Sequence, residues 1–387
     1  MKRNRIWAAL AAVMLGILAG CGQTETPEAK PVHVWAGGTA KVQETFEKLV
    51  ADFNEQADGK YTATLHFVPE DAEESLTDML VYAYESKQTE TEFDVVELGD
   101  DALKCMISRT DEESLMQLDL DAMPNAEGVT VQPVAAIGQA QPYCGTAVML
   151  AYNAEAVPES ELPTTMEALS TWITAHPGRF AYNAPGTSGA GNSFVRTCIY
   201  NQIPDEEALM SDDPKWEEKW DTGFAMLTNL HRFLYRDEKE TVTYPADGQA
   251  VLDLLAQGKI DMCPSFAGEV IAARHAGVLT ENIKLANIEP ALIGSVRSAA
   301  VPSFSGNKEG GTAFINYLLS KEAQTTLVQQ MAAVPLKEAD AEGMEEILQF
   351  DAAGFRTQAL GELVPKLNQR WREEMAHAAH TASGAVK

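Results

Sequence analysis

Val32-His33-Val34-Trp35-Ala36-Gly37-Gly38-Thr39, with the run from Lys41 to Gln56 behind it, decides the fold. The first four residues alternate like a short strand. Ala36 to Thr39 makes a turn. In the run that follows, Val42, Phe46, Leu49, Val50 and Phe53 recur at helical spacing. Thr39 or Ala40 should cap that helix, and Gly59 lies just past its end. The unit then repeats. Thr62 to Val68 is strand-like, and Ala72 to Glu85 is helical with Leu76, Met79, Leu80 and Ala83 inward. Phe93 to Leu98 is a strand, and Asp101 to Ser108 a helix. Strands alternating with helices predict a parallel α/β sheet. Ligands of such sheets bind at the carboxyl ends of strands, here Trp35 to Thr39 and Glu97 to Asp101.

Upstream, Lys2, Arg3 and Arg5 precede an apolar run from Ile6 to Leu18, which closes on Leu18-Ala19-Gly20-Cys21. A basic start, a short apolar core and small residues before the end read as a secretory leader; the run is too short for a comfortable bilayer crossing. Ala19 and Gly20 fit a protease cleft, and Cys21 offers a thiol just past the cut. An ordinary leader with an incidental cysteine is the plainer alternative. Gly22 to Pro31 is polar, holds two prolines and reads as a flexible spacer.

The 387 residues suffice for two domains with real cores. Net charge is −28; the leader carries three of the positive charges and none of the negative, so the remainder stands at −31. That argues against nucleic acid and against adsorption on an anionic membrane. Besides Cys21 there are Cys105, Cys144, Cys198 and Cys263, none spaced as C-x-x-C. Disulfides are permitted but not assignable, and mostly buried free thiols are the default.

Farther along, a Pro-Tyr turn at Pro142-Tyr143 leads into an apolar strand ending at Tyr152-Asn153. Thr165 to Ala175 is helical, and Arg179 to Tyr182 reads as a strand. Pro185-Gly186-Thr187-Ser188-Gly189-Ala190-Gly191-Asn192-Ser193 is a small-residue loop before a helix through Phe194 and Cys198. Pro214 to Tyr235 reads as one long helix, Asp247 to Gln257 as another, and Ile260 to Cys263 as a strand. From Lys308 to about His380 the chain reads as helices broken by Pro335, Gly343, Gly354 and Pro365.

The Pro185 to Ser193 loop is the strongest chemical candidate. Its glycines free backbone N–H groups to point inward, and the helix behind adds a positive dipole end. A ligand cradle and a plain capped loop are both open readings. The loop fails G-x-S-x-G and G-x-G-x-x-G on spacing, although Ser188 or Ser193 leaves a lipid-anchored hydrolase as the alternative function. His377 and His380 lack a third ligand and read as a solvated tail, so no metal site is expected. Trp35, Tyr143, Tyr182, Tyr244 and Phe266 each sit near a strand end beside Gly or Pro, where aromatics can line a cleft.

Leu18 to Cys21, Phe93 to Asp101, Pro142 to Asn153, Gly258 to Gly268, and Ala300 to Leu319 with Gln324 beyond together resemble an extracytoplasmic solute-binding lipoprotein of an ABC importer, of the type II periplasmic-binding-protein class. The resemblance implies an α/β fold of two hinge-linked lobes with a ligand cleft between them. It implies residues 1–20 as a lipoprotein signal peptide and 21–31 as a lipid-anchored spacer, with Cys21 acylated. Residues 32–145 plus 288–319 would form lobe 1, and 146–287 plus 320–387 lobe 2. The protein would be a monomer, held by its lipid anchor on the outer face of the cell membrane. It would capture a small solute and pass it to a membrane permease with ATPase subunits, needing no cofactor and making no bond itself. The loop looks most like that of thiamine-, polyamine- or ferric-ion-type members, but the tyrosine pair of iron binders is not found. Ligand contacts are expected from Trp35, Gly38, Thr39 and Asp100 on the first lobe. Tyr143, Tyr182, Thr187, Ser188, Asn192 and Phe266 would complete the second face. Acidic residues near Glu97 to Asp101 point to an amine or thiamine-like cation, and the glycine loop to a phosphate ester or sugar.

Overall fold

The computed structural model describes residues 29–384, so the leader and Cys21 lie outside the described residues. The opening strand is β1 (Lys30–Gly38), followed by helix α1 (Ala40–Gln56) and β2 (Tyr61–Pro69). Val32, Val34 and Ala36 are fully buried on one face of β1, against Val42, Phe46, Leu49 and Phe53 of α1. Next come α2 (Leu76–Glu85), β3 (Val95–Gly99) and α3 (Asp100–Arg109). Leu76, Leu80 and Ala83 of α2 cover the opposite face of the sheet. Ser75 opens α2 with a reciprocal cap: its hydroxyl accepts from the Asp78 amide, and the Asp78 carboxylate reaches back. Residues 112–126 hold three short 3-10 turns.

Lobe 1 is completed from the far half of the chain. Its sheet adds β4 (Ala140–Thr146), β8 (Ser295–Ala300) and β9 (Val334–Pro335), in the order β2-β1-β3-β8-β4-β9. Pairs β1/β2 and β1/β3 are parallel, whereas β3/β8, β4/β8 and β4/β9 are antiparallel. The expected all-parallel sheet is therefore mixed. The periodicity was right for the βα units, but strands that leave for the other lobe and return must run the opposite way.

Lobe 2 holds β5 (Val148–Asn153), β6 (Met262–Phe266) and β7 (Ile283–Ala286) in the order β6-β5-β7, all antiparallel. Around them lie α4 (Met166–Ala175), α5 (Gly191–Tyr200), α6 (Asp221–His231), α7 (Gly248–Ala256) and α8 (Ala267–His275). The core gathers Phe180, Phe194, Trp216, Trp220, Phe224 and Trp371. Arg179 to Tyr182 is not a strand; only Phe180 bridges Met262. The single helix expected from Pro214 to Tyr235 is a 3-10 turn (Pro214–Lys219) and then α6. Gly223 lets α6 cross α5 closely, because a Cβ there would lie 2.4 Å from the Ile199 Cα.

Helices α9 (Lys308–Leu318) and α10 (Lys321–Met331) pack in lobe 1, α10 along α1, and β9 extends the lobe-1 sheet. Of the chain after Ser320, expected in lobe 2, it is α11 (Leu363–Gly384) that packs there, against α6. The buried side of α10 explains the difference: Ala323 and Leu327 join the Phe46, Phe53 and Phe314 cluster.

The chain crosses between lobes at Ala147, between β7 and β8, and between β9 and α11. Phe355 of the third crossing lies where Cβ atoms on Gly145 and Gly294 would meet it, at 2.8 and 3.5 Å. The first turn of α8 abuts the end of α10 just as closely: a Cβ on Gly268 would stand 1.9 Å from the Ala332 carbonyl, where the backbone is left-handed with φ 52°. Gly268→Ala should therefore cost about 1–3 kcal/mol by overpacking, read as a lower urea midpoint with unchanged slope. An unaltered midpoint would contradict this contact.

Candidate functional site

The carboxyl ends of β1, β2 and β3 and the start of α2 enclose a cavity of 190 Å³. Gly37, Gly38, Glu70, Ser75 and Gly99 line it, with Glu97 and Arg297 as its floor. Both oxygens of Glu97 accept from Arg297, Nε and Nη2 each at 2.7 Å, and Nη2 also donates to the Gly37 carbonyl at 3.2 Å. Glu97 is buried, while Arg297 keeps 23% of its side chain open toward the cavity. A larger cavity of 480 Å³ lies on the outer side of lobe 1 among Tyr84, Lys87, Arg109 and Phe304. Strand-end position, rather than size, selects the smaller one as the ligand wall.

Lobe 2 supplies the facing wall. Lys41, two residues past Thr39 in the first turn of α1, acts electrostatically on Glu269 in the first turn of α8. Glu269 lies beside Gly248: a Cβ there would be 3.5 Å from its Oε2. The Gly248 N–H donates to the Ser188 carbonyl at 2.8 Å. Lys41 thus faces Glu269, with Gly248 and Ser188 beside it, across the interlobe cleft. The Glu269 side chain is exposed at its end, and desolvation by its neighbours raises its carboxyl, opposed by Lys41 and aided by Asp247. Among the described residues it has no hydrogen-bond or ion-pair partner. The cleft's base is fastened by Arg196 of α5, which meets Asp101 of α3 at 2.7 Å; Asp101 also accepts from the Leu360 N–H.

The expected contact residues divide. Gly38 and Thr39 stand at the lobe-1 rim, Thr187 and Ser188 are exposed on the lobe-2 rim, and Phe266, half-buried, caps α8. Trp35 does not face the cleft. Its ring stacks on His66 at 4.5 Å and tilts onto Phe93, and its Nε1 donates to the Glu92 carbonyl at 2.8 Å. Tyr143 and Tyr182 are buried in the two cores rather than lining a cleft. Among the described residues the Tyr143 hydroxyl has no well-formed hydrogen bond, and burial pushes its pKa up, with Glu97 adding to the shift and Arg297 opposing it. Tyr182 packs on Phe194, Tyr244 and Trp371, whose Nε1 donates to its hydroxyl at 3.3 Å. An aromatic beside a strand end is as useful to a core as to a ligand, and sequence spacing does not separate the two.

Two amides that the glycine loop offered to an anion are spent inside the protein. The Gly191 N–H donates to the Asn183 Oδ1 at 2.8 Å and the Gly186 N–H to the Asn192 Oδ1 at 3.0 Å, so both amides are already used. Gly191 is needed for close approach, since a Cβ would fall 1.8 Å from the Asn183 carbonyl. Asn192 is a loop brace. Ser193 donates to the Ile293 carbonyl at 2.5 Å, and among the described residues neither it nor Ser188 has an imidazole partner, so the geometry lends the hydrolase alternative no support. The acidic stretch Glu97 to Asp101 is also spent internally, as Asp100 accepts from the Val296 N–H at 2.9 Å. The four described cysteines, Cys105, Cys144, Cys198 and Cys263, form no disulfide; the last three are buried, and burial pushes the Cys144 thiol up to about 12, which leaves it inert at neutral pH. Glu269 is what the sequence reading missed. Its one signal is position, just after the strand-end Phe266-Ala267-Gly268.

A family profile described as "Bacterial extracellular solute-binding protein" matches residues 48–347. The chain belongs to the bacterial extracellular solute-binding proteins. Membership places it outside the cytoplasm, and among the described residues no helix is long and apolar enough to cross a membrane. A search of curated protein sequences returns no match. Solved structures share the two-lobed fold of this solute-binding protein. An ABC transporter from Clostridium perfringens is 13% identical at TM-score 0.63, covering 89% of this chain and 99% of that one. Iron-bound HitA from Pseudomonas aeruginosa is 16% identical at TM-score 0.61, covering 89% and 99%. A periplasmic thiamin binding protein is 16% identical at TM-score 0.57, covering 94% and 99%.

Asp100 gives a pH test of this region. Burial, offset by the Val296 N–H and reinforced by Asp101, raises its carboxyl from 3.8 to about 7. The folded state then holds a proton that the unfolded chain has lost, so this group's contribution to stability falls as pH rises from about 4 to about 7 and is flat above. Asp100→Asn should stabilise by a few kcal/mol at pH 8 and by almost nothing at pH 3, measured as the difference between variant and parent in urea unfolding. An equal difference at both pH values would sink the assignment.

Proposed function

We propose that the protein captures a small solute bearing a positive amino group in the interlobe cleft and delivers it to the permease of an ABC importer, making and breaking no bond itself. The observation that carries this reading is Glu269, a carboxylate across the cleft from Lys41 that has no hydrogen-bond or ion-pair partner among the described residues. An arriving ammonium would supply its missing counter-charge. Lys41 across the cleft and Arg297 below it offer sites for an acidic group on the same solute. Thr39 and Ser188 supply neutral donors at the rims, and Phe266 an apolar edge. Two lobes joined by crossing strands can close over the solute by a hinge movement. The matched structures include proteins named for thiamin and for iron; the free carboxylate and the basic counter-groups favour an amine-bearing organic solute. We further propose that the mature protein is a monomer anchored by lipid on Cys21, with 22–31 as its spacer, at the outer face of the membrane.

The test is a thermal-shift screen with polyamines, thiamine and its phosphates, amino acids, sugars, phosphonates and ferric chelates. A ligand at about a hundred times its Kd adds about 2.7 kcal/mol and moves the midpoint by several degrees. An amine-bearing solute should give such a shift, and Glu269→Gln should weaken its binding at least tenfold while leaving the unliganded midpoint near that of the parent. A shift with sugars or ferric chelates alone, or a Glu269→Gln variant that binds like the parent, would overturn the amine assignment.

A further inference from the structure

The outer face of lobe 1 brings His33, His66 and Glu92 together, with their ligand atoms within 4.8 Å of one another. We propose that this trio is a binding site for a divalent transition-metal ion of the zinc class, separate from the solute cleft. His33 and His66 come from neighbouring parallel strands. The register sets Trp35 opposite His66, so His33 and His66 are diagonal neighbours on one face. That face is the one opposite Val32, Val34 and Ala36. His33 lies five residues before Gly38, so at about 3.3 Å per residue it is about 16 Å from the strand's cleft end.

The geometry suits a shared ion. His33 Nδ1 and His66 Nε2 point at each other 2.9 Å apart. Two nitrogens held at about 2.0–2.1 Å from one ion stand about 2.9–3.4 Å apart, from right-angled to tetrahedral. Both imidazoles are partly exposed and Glu92 is exposed, so an ion can enter from solvent. Among the described residues the Glu92 carboxylate makes no hydrogen bond or ion pair. Two imidazoles and one carboxylate suit zinc, cobalt, nickel or copper rather than calcium or magnesium. Water would fill the remaining position.

The surroundings hold these groups in place. The Trp35 indole stacks on His66 with 10° between planes, and its Nε1 fixes the Glu92 carbonyl at 2.8 Å. One side chain thus positions two of the three ligands. Asp94 Oδ2 accepts from the His33 N–H at 2.9 Å and holds that stretch of β1. The ion takes the place of the hydrogen between the two rings, which moves to the far nitrogen of its imidazole. Because β2 is the edge strand of its sheet, the bound ion clips that edge to β1 and to the loop before β3.

The test is calorimetric titration of chelator-treated, untagged protein with zinc, and with cobalt read by visible absorption. Saturable binding of one equivalent is expected, with a rise of several degrees in the zinc-loaded midpoint. His33→Gln and His66→Gln should each weaken binding at least tenfold with unchanged circular dichroism. Should a histidine variant not fold, Glu92→Gln on its exposed loop decides, with weaker zinc binding and an altered cobalt spectrum expected. No saturable binding, or binding that survives these changes and is lost in a His377→Ala, His380→Ala double variant, would overturn the proposal.

Discussion

The pair between Arg297 and Glu97 is the interaction on which the rest depends. Arg297 belongs to the strand that returns from lobe 2, and Glu97 to the third strand of lobe 1. Their two parallel bonds, with the third to the Gly37 carbonyl, join β1, β3 and β8 at the mouth of the cleft. Glu97 is almost wholly buried, so its charge is tolerable only beside the guanidinium; loss of one partner from such a pair costs about 3–5 kcal/mol. The pair therefore does two things. It fixes the register of the returning strand, and it leaves a partly open cation on the cavity floor.

Much of the fold was legible because burial and periodicity coincide. Val32 and Val34 alternate, Phe46, Leu49 and Phe53 recur at helical spacing, and all are buried where the pattern placed them, although Ala36 to Gly38, read as a turn, continue the strand. The errors share a cause. The strand read at Arg179 to Tyr182, the long helix from Pro214 and the lobe given to Lys321–Met331 each depended on what the segment packs against. Trp216 and Trp220 suit a helix by spacing, yet the chain breaks between them so that both reach one core. No local pattern reports that distant partner.

The site was less legible for a related reason. Residue type tells which chemistry is available, but not whether it is already used. Asp100, Asp101 and Glu97 read as a negative patch, and all three are bonded within the protein. Gly186 and Gly191 read as free donors, and both amides are bonded to asparagine side chains. Glu269 and Glu92 drew no notice in a chain with 57 acidic residues. They stand out only once the partners of the others have been counted. Unspent groups, rather than striking ones, mark the positions left for something from outside.

The strand Ser295–Ala300 sits between Val95–Gly99 and Ala140–Thr146, which pair with it and not with each other. As the chain emerges from the ribosome, residues 30–146 thus lack the strand that joins Ala140–Thr146 to the rest of the sheet. About 150 more residues must be made before that strand arrives, and Val334–Pro335 closes the edge later still. A nascent chain of this kind cannot complete its first lobe early, however stable that lobe is at the end. It stays unfinished for most of its synthesis, which is the state in which a polypeptide is threaded through a membrane.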